Sequence, residues 1–133
     1  VFTIAKGEET DTAYIFESAI DAISFIQLHP KIEHGKFISM AGLKDFAVKR
    51  LSDEKLRIIS CVDNDKAGND FNKRQLDNPN IKAFTVNEEC KNNNAKDFNE
   101  LLTKRKAEQK MEQSSNDSQP QPDLSKKSYY EGR

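Results

Sequence analysis

The chain has 133 residues, of which 35% are hydrophobic and 32% charged, with two cysteines and no tryptophan. Its 21 basic and 22 acidic side chains leave a formal net charge of −1, which excludes a basic nucleic-acid coat. No apolar run approaches the ~20 residues of a membrane span. Val1-Phe2-Thr3 lacks the basic start and long apolar stretch of a signal peptide, so a cytoplasmic globular domain is expected. Cys61 and Cys90 have neither CxxC spacing nor a neighbouring histidine, so neither a zinc site nor a disulfide scaffold is indicated.

In chain order, Tyr14-Ile15-Phe16 is a short apolar run that predicts a strand, and Ala19, Ile20, Ala22, Ile23, Phe25 and Ile26 then repeat at helical spacing. His29-Pro30 ends that helix, because proline disfavours helical geometry in the residue before it. Lys36 to Met40 predicts a second strand, closed by Ala41-Gly42, and Leu43, Phe46, Ala47, Arg50 and Leu51 mark one face of a second helix. Leu56 to Val62 is the strongest strand, rich in β-branched residues. A third helix is expected from Ala67 to Leu76, a turn at Asp77-Asn78-Pro79-Asn80, and a fourth strand from Ile81 to Val86. Asp97 followed by Glu100 three residues on has the form of a capping box for a last helix. His29 and His34 flank a loop at the far end of the sheet and are expected in solvent, as is Cys90 beside Glu88-Glu89, whereas Cys61 is expected as a core residue.

The mean hydropathy of −0.83 is too polar for one compact fold until the chain is divided. From Glu108 onward the sequence offers almost nothing to bury, so it cannot offset the entropy of ordering. Residues 108–133 are therefore expected as a flexible polar tail, and the folded domain as 1–107, with 17 charges of each sign. Tyr129 and Tyr130 fall in that tail and receive no role, and Lys104-Arg105-Lys106 is a basic run suited to a helix end. The start at Val1 rather than methionine fits a segment of a longer parent protein.

Alternating strands and helices argue for a parallel sheet covered on both faces, with the strand C-terminal ends on one edge. Ligands bind at that edge in open α/β sheets. Glu17 follows the first predicted strand with Asp21 a turn later, Asp63-Asn64-Asp65-Lys66-Ala67-Gly68 follows the third, and Lys96-Asp97 lies beyond the fourth. Clustered carboxylates repel one another unless a cation compensates, and Mg²⁺ takes one or two carboxylates together with waters and phosphate oxygens. An acidic cleft holding magnesium reconciles a near-neutral chain with a polyanionic substrate. An EF-hand loop is excluded, because its fifth and twelfth positions would be Ala67 and Arg74, where oxygen ligands are required. An aspartyl-nucleophile phosphatase would carry Asp-x-Asp after its first strand, and a receiver domain would need an acidic pair where only Glu17 stands.

These motifs carry a resemblance. Ile15-Phe16-Glu17-Ser18-Ala19-Ile20-Asp21-Ala22 resembles the glutamate motif of Toprim domains, and Val62-Asp63-Asn64-Asp65-Lys66-Ala67-Gly68 resembles their Asp-x-Asp motif in its primase-like form. Lys96-Asp97-Phe98-Asn99-Glu100-Leu101-Leu102 is similar to the Lys-Asp-x-Asn-Glu element of that branch, and Met40-Ala41-Gly42 falls where the family has a glycine-bearing turn. Ser18 and Ala19 depart from chromosomal primases and favour the branch found in primase and mobilisation proteins of plasmids and conjugative transposons.

The resemblance implies a three-layer α/β/α, Rossmann-like fold with a mainly parallel sheet of about four strands. It implies a Mg²⁺-dependent (or Mn²⁺-dependent) nucleotidyl- or phosphoryl-transfer module that acts on DNA, single-stranded or primer-template, with nucleotides and other domains of a longer protein as partners. Glu17 would be the general acid/base, for which a pKa near neutrality is suited. Asp63 and Asp65 would hold the metal, Asp21 and Asp97 would support it, and Lys66, Gly68 and Lys96 would contact phosphate or DNA. A non-catalytic docking module and an endonuclease on the same metal site are the competing expectations.

Overall fold

The computed structural model describes residues 2–8 and 10–117, with the backbone alone for 85–87 and 113–117. In chain order the elements are β1 (Phe2–Lys6), β2 (Thr12–Phe16), α1 (Ala19–Leu28), β3 (Gly35–Ser39), α2 (Asp45–Asp53), β4 (Arg57–Ser60), α3 (Lys66–Arg74), β5 (Ile81–Ala83), α4 (Thr85–Asn92) and α5 (Phe98–Asp117). The sheet order is β1-β3-β2-β4-β5. β2 runs parallel to both β3 and β4, and β4 runs parallel to β5. β1 is antiparallel to β3, with Phe2 opposite Ser39.

Period-two alternation along the strands builds two cores. Ala13 and Ile15 of β2, Ile38 of β3 and Ile58 of β4 face Val48 and Leu51 of α2 and Phe71 of α3. Phe16 and Phe37 point the other way, against Ala22 and Phe25 of α1, Cys90 of α4 and Phe98 and Leu101 at the start of α5. The second core is aromatic. Tyr14 stacks on Phe37 at 4.8 Å, and Phe98 meets Phe25 edge-on at 5.1 Å, geometries that add to area burial. Helices on both faces of a mostly parallel sheet form the expected three-layer α/β/α arrangement.

Four expectations are revised. The sheet has five strands rather than about four, because Phe2–Lys6 adds an antiparallel edge. The strand expected through Val86 ends at Ala83: β5 is an edge with an irregular register against Ile58 and Ile59, and the chain then enters α4, which buries Cys90 in the aromatic core. Cys90, expected in solvent, is thus 1% exposed. His29 is also packed rather than solvated. It caps α1, lies against the Phe25 ring and reaches Glu89 of α4 with Nε2 at 3.0 Å.

The chain divides into two compact units, residues 1–102 and 103–133. The helix α5 continues past residue 107, so residues 108–117, expected in the tail, have helical backbone; 106–112 are exposed. Residues 118–133, including Tyr129 and Tyr130, lie outside the described residues.

Candidate metal centre at the carboxyl edge of the sheet

β2 delivers the chain to α1 on one face of the sheet, while its neighbour β4 delivers it to α3 on the other. A crevice opens where adjacent strands send their connections in opposite directions. Glu17 is the first residue after β2, and Asp63 follows β4 by three residues, so both acids stand at this crevice.

Backbone contacts tie each acidic segment to a neighbouring loop. The Glu17 carbonyl accepts the Gly42 amide at 2.8 Å, and the Asn64 amide donates to the Lys96 carbonyl at 2.6 Å. The second contact joins the Asp-Asn-Asp loop to the segment before α5. Asn64 also donates through Nδ2 to the Ala95 carbonyl at 3.4 Å. The turn after β3 has positive φ at both Ala41 (56°) and Gly42 (112°); in Gly42 that conformation carries no side-chain penalty.

One carboxylate oxygen from each of Glu17, Asp63 and Asp65 lies within 4.8 Å of the other two, and the same holds for Asp21, Asp63 and Asp97. Asp63 belongs to both sets. Asp21 is the most enclosed, 3% exposed; its carboxylate accepts from Ser18 Oγ at 2.8 Å and from the Asn99 amide at 3.2 Å. Asp65 is the N-cap of α3 and accepts the Gly68 amide at 2.8 Å, while Asp97 accepts the Glu100 amide at 2.8 Å. The latter is half of the capping box expected for α5.

Electrostatically the cluster is unbalanced. Among the described residues, no lysine or arginine forms an ion pair with Glu17, Asp21, Asp63, Asp65 or Asp97. Burial, together with the charges of Asp21, Glu17 and Asp97, pushes the Asp63 carboxyl up to about 8. Burial also raises Asp21, against the hydrogen bond from Ser18. Glu17 Oε2 and Asp63 Oδ1 are buried with no hydrogen-bond partner. Orphaned buried acceptors are costly, and a divalent cation would give both oxygens a partner. The donor set is all oxygen, which suits a hard cation.

The three residues expected to contact phosphate are placed differently from one another. Lys66 pairs with Asp70 at 2.9 Å and its side chain is 91% exposed. Lys96 is exposed and holds Asn64 through its carbonyl. Gly68 gives its amide to Asp65, and its α-carbon lies against the Asp63 carbonyl so closely that a methyl group there would overlap the oxygen. The close approach that glycine permits is therefore to the protein's own metal-ready loop. Ser18, Asn64 and Asn99 are positioning residues that side-chain chemistry in the sequence did not single out; the polar residues inside the acidic motifs were the available signal.

Fold and site together define an α/β module whose sheet edge gathers acids able to hold a metal ion. The chain belongs to the Toprim-like family, whose model matches residues 14–102. Toprim-like domains are metal-binding modules that act on nucleic acids. The chain is 34% identical over 84 residues to the uncharacterized protein pXO2-78 of Bacillus anthracis, an alignment covering 56% of this chain and 24% of that protein. No solved structure matches the chain. No helix among the described residues is long and apolar enough to cross a membrane.

Proposed function

We propose that this chain is the catalytic Toprim module of a primase-like or mobilisation protein of a mobile element, transferring a nucleotidyl or phosphoryl group on DNA in the cytoplasm with Mg²⁺, or Mn²⁺ in its place. The observation that carries this reading is the pair of buried, partnerless oxygens, Glu17 Oε2 and Asp63 Oδ1, inside a cluster of acids with no ion-paired lysine or arginine. The Asn-Asp-x-Ala-Gly form at Asn64 to Gly68 and the Lys-Asp-x-Asn-Glu element at Lys96 to Glu100 favour the primase-like branch.

Asp63 and Asp65 would hold the metal, and Asp21 and Asp97 each bring a carboxylate oxygen within 4.8 Å of Asp63. When bound, the ion would supply positive charge to a phosphoryl group in transfer. Glu17 takes the proton from the attacking hydroxyl or returns it to the leaving oxygen. Ser18 and the Asn99 amide each donate to the Asp21 carboxylate and hold it in place beside Asp63. Lys96, exposed, and Lys66, exposed and paired with Asp70, would meet the sugar-phosphate backbone at the rim.

Calorimetric titration of the chain with Mg²⁺ and Mn²⁺ tests the reading. Saturable heats are expected in the micromolar-to-millimolar range, lost in Asp63→Asn/Asp65→Asn. Equal heats for wild type and the double variant would remove the assigned ligands and the chemistry built on them.

A further inference from the structure

Beside the acidic cluster, on the α1 face, lies an open cavity of about 620 Å³ lined by Phe2, Glu17, Ser18-Ala19 at the start of α1, and the Ala41-Gly42 turn. Its walls are small side chains, and Glu17 is its one ionisable lining residue. A phosphate placed there would be repelled by the Glu17 carboxylate, whereas a flat neutral ring carries no charge to be repelled. Phe2 reaches this edge because β1 is antiparallel: it begins where β2 and β3 end, and the ladder fixes Phe2 opposite Ser39. Alternation along β1 places Phe2 on the side of Ile4, which packs against the aromatic core, yet Phe2 itself is 42% exposed. At the other wall the Lys44 chain folds over Gly42, with Nζ 3.7 Å from where a Gly42 side chain would begin. Lys44 has no ion-pair partner among the described residues.

A half-exposed aromatic ring, a small-walled cavity and an unpaired cation beside its Gly42 wall together match a nucleotide: base in the cavity, phosphate toward the lysine. We infer that this cavity seats the nucleobase next to the reacting phosphate, stacked on Phe2, with the attached phosphate held by Lys44. The inference rests on the proposed nucleotidyl-transfer reading, and it adds a substrate subsite on the Glu17 side of the cluster. The base comes either from a DNA strand or from a free nucleotide, since both present the same ring and phosphate.

The chain contains no tryptophan, so Phe2→Trp introduces a single indole at the proposed stacking surface. In Mg²⁺, a short oligothymidylate and a deoxynucleoside triphosphate are titrated separately, with indole emission and labelled-oligonucleotide anisotropy as readouts. Quenching by the oligonucleotide alone assigns the subsite to the strand; quenching by the triphosphate assigns it to the incoming nucleotide. Either result supports the inference when Phe2→Ala also weakens that ligand about tenfold, Phe2→Tyr restores it, and the calorimetric Mg²⁺ heats of all variants match wild type. Phe2 stands exposed on a sheet edge, so these variants are expected to keep the fold, as circular dichroism checks. Binding that depends on Asp63 but neither quenches the indole nor weakens in Phe2→Ala overturns the subsite and leaves the proposed function standing. No binding of either ligand to the wild-type chain in Mg²⁺ overturns the functional reading and the subsite with it.

Discussion

One carboxylate oxygen of Asp63 lies within 4.8 Å of one of Asp21 at the carboxyl edge of the sheet, so two acids that belong to different motifs crowd one another. That crowding, added to burial, favours the protonated form of Asp63 in a cluster that has no lysine or arginine in an ion pair. A cation held there would relieve the same repulsion and give the orphaned Glu17 Oε2 a partner.

A pH dependence follows. An aspartate in an unfolded chain titrates near ~3.9, and Asp63 in the folded protein titrates at about 8. Between those values the native state binds the extra proton, so stability falls as pH rises. The contribution is fully present below the unfolded value and lost as pH passes through about 8. The melting temperature of the metal-free chain should therefore decline between about pH 5 and about pH 8 more steeply than that of Asp63→Asn. A difference between the two proteins that stays constant with pH would contradict the raised titration of Asp63.

Gly68→Ala tests how tightly the metal loop is built. The added methyl meets the backbone carbonyl of Asp63, which has no rotamer to escape through, and the α3 cap from Asp65 shares the same turn. Overpacking of this kind costs about 1–3 kcal/mol or more. Urea denaturation should show that loss, and calorimetry should show weaker metal binding in the same variant. Wild-type values for both would mean that the loop has room the structure does not show.

Much of this arrangement was legible in the sequence, for physical reasons. Parallel strands buried on both faces appear as continuous apolar runs, which made Tyr14-Ile15-Phe16 and Leu56 to Val62 visible, and the residues just after them became the site. Met40-Ala41-Gly42 marked its turn because two successive positive-φ residues close β3. Phe2–Lys6 was overlooked because an antiparallel edge strand, exposed at Phe2, Thr3 and Ala5, leaves a weak pattern. Thr85-Val86 has strand propensity, yet the chain enters α4 there, as packing overrides propensity at an edge. The placement of His29 depends on that helix. Its partner Glu89 lies on α4, and with α4 read as strand and loop, nothing nearby in sequence could show where the ring would settle.

Glu17→Gln separates acid/base work from structure. The substitution keeps the shape of the side chain and removes one of the negative charges that raise Asp63. The metal-free chain should melt no lower than wild type near neutral pH, and Mg²⁺ heats should persist through Asp63 and Asp65. Turnover on DNA by the longer parent protein should fall by about a hundredfold or more. Retained turnover would take the acid/base role from Glu17.

A pair of truncations locates the end of the stabilising core. Residues 106–112 of α5 are all exposed, and the sequence from Glu108 to Arg133 is polar and poor in apolar side chains. Ending the chain after Ala107 removes a stretch whose sequence has little to bury and should leave the melting temperature within about 2 °C of wild type. Ending it after Lys96 instead removes Phe98 and Leu101, each 1% exposed, together with the Asn99 amide that steadies Asp21. Loss of a buried phenylalanine or leucine side chain costs about 2–5 kcal/mol each, a large part of the ~5–15 kcal/mol that holds a small domain folded. The shorter chain should lack a cooperative thermal transition and bind no Mg²⁺. If the chain ending at Ala107 melts several degrees lower, part of the stabilising packing lies beyond residue 107; if the chain ending at Lys96 still folds, the aromatic core closes without α5.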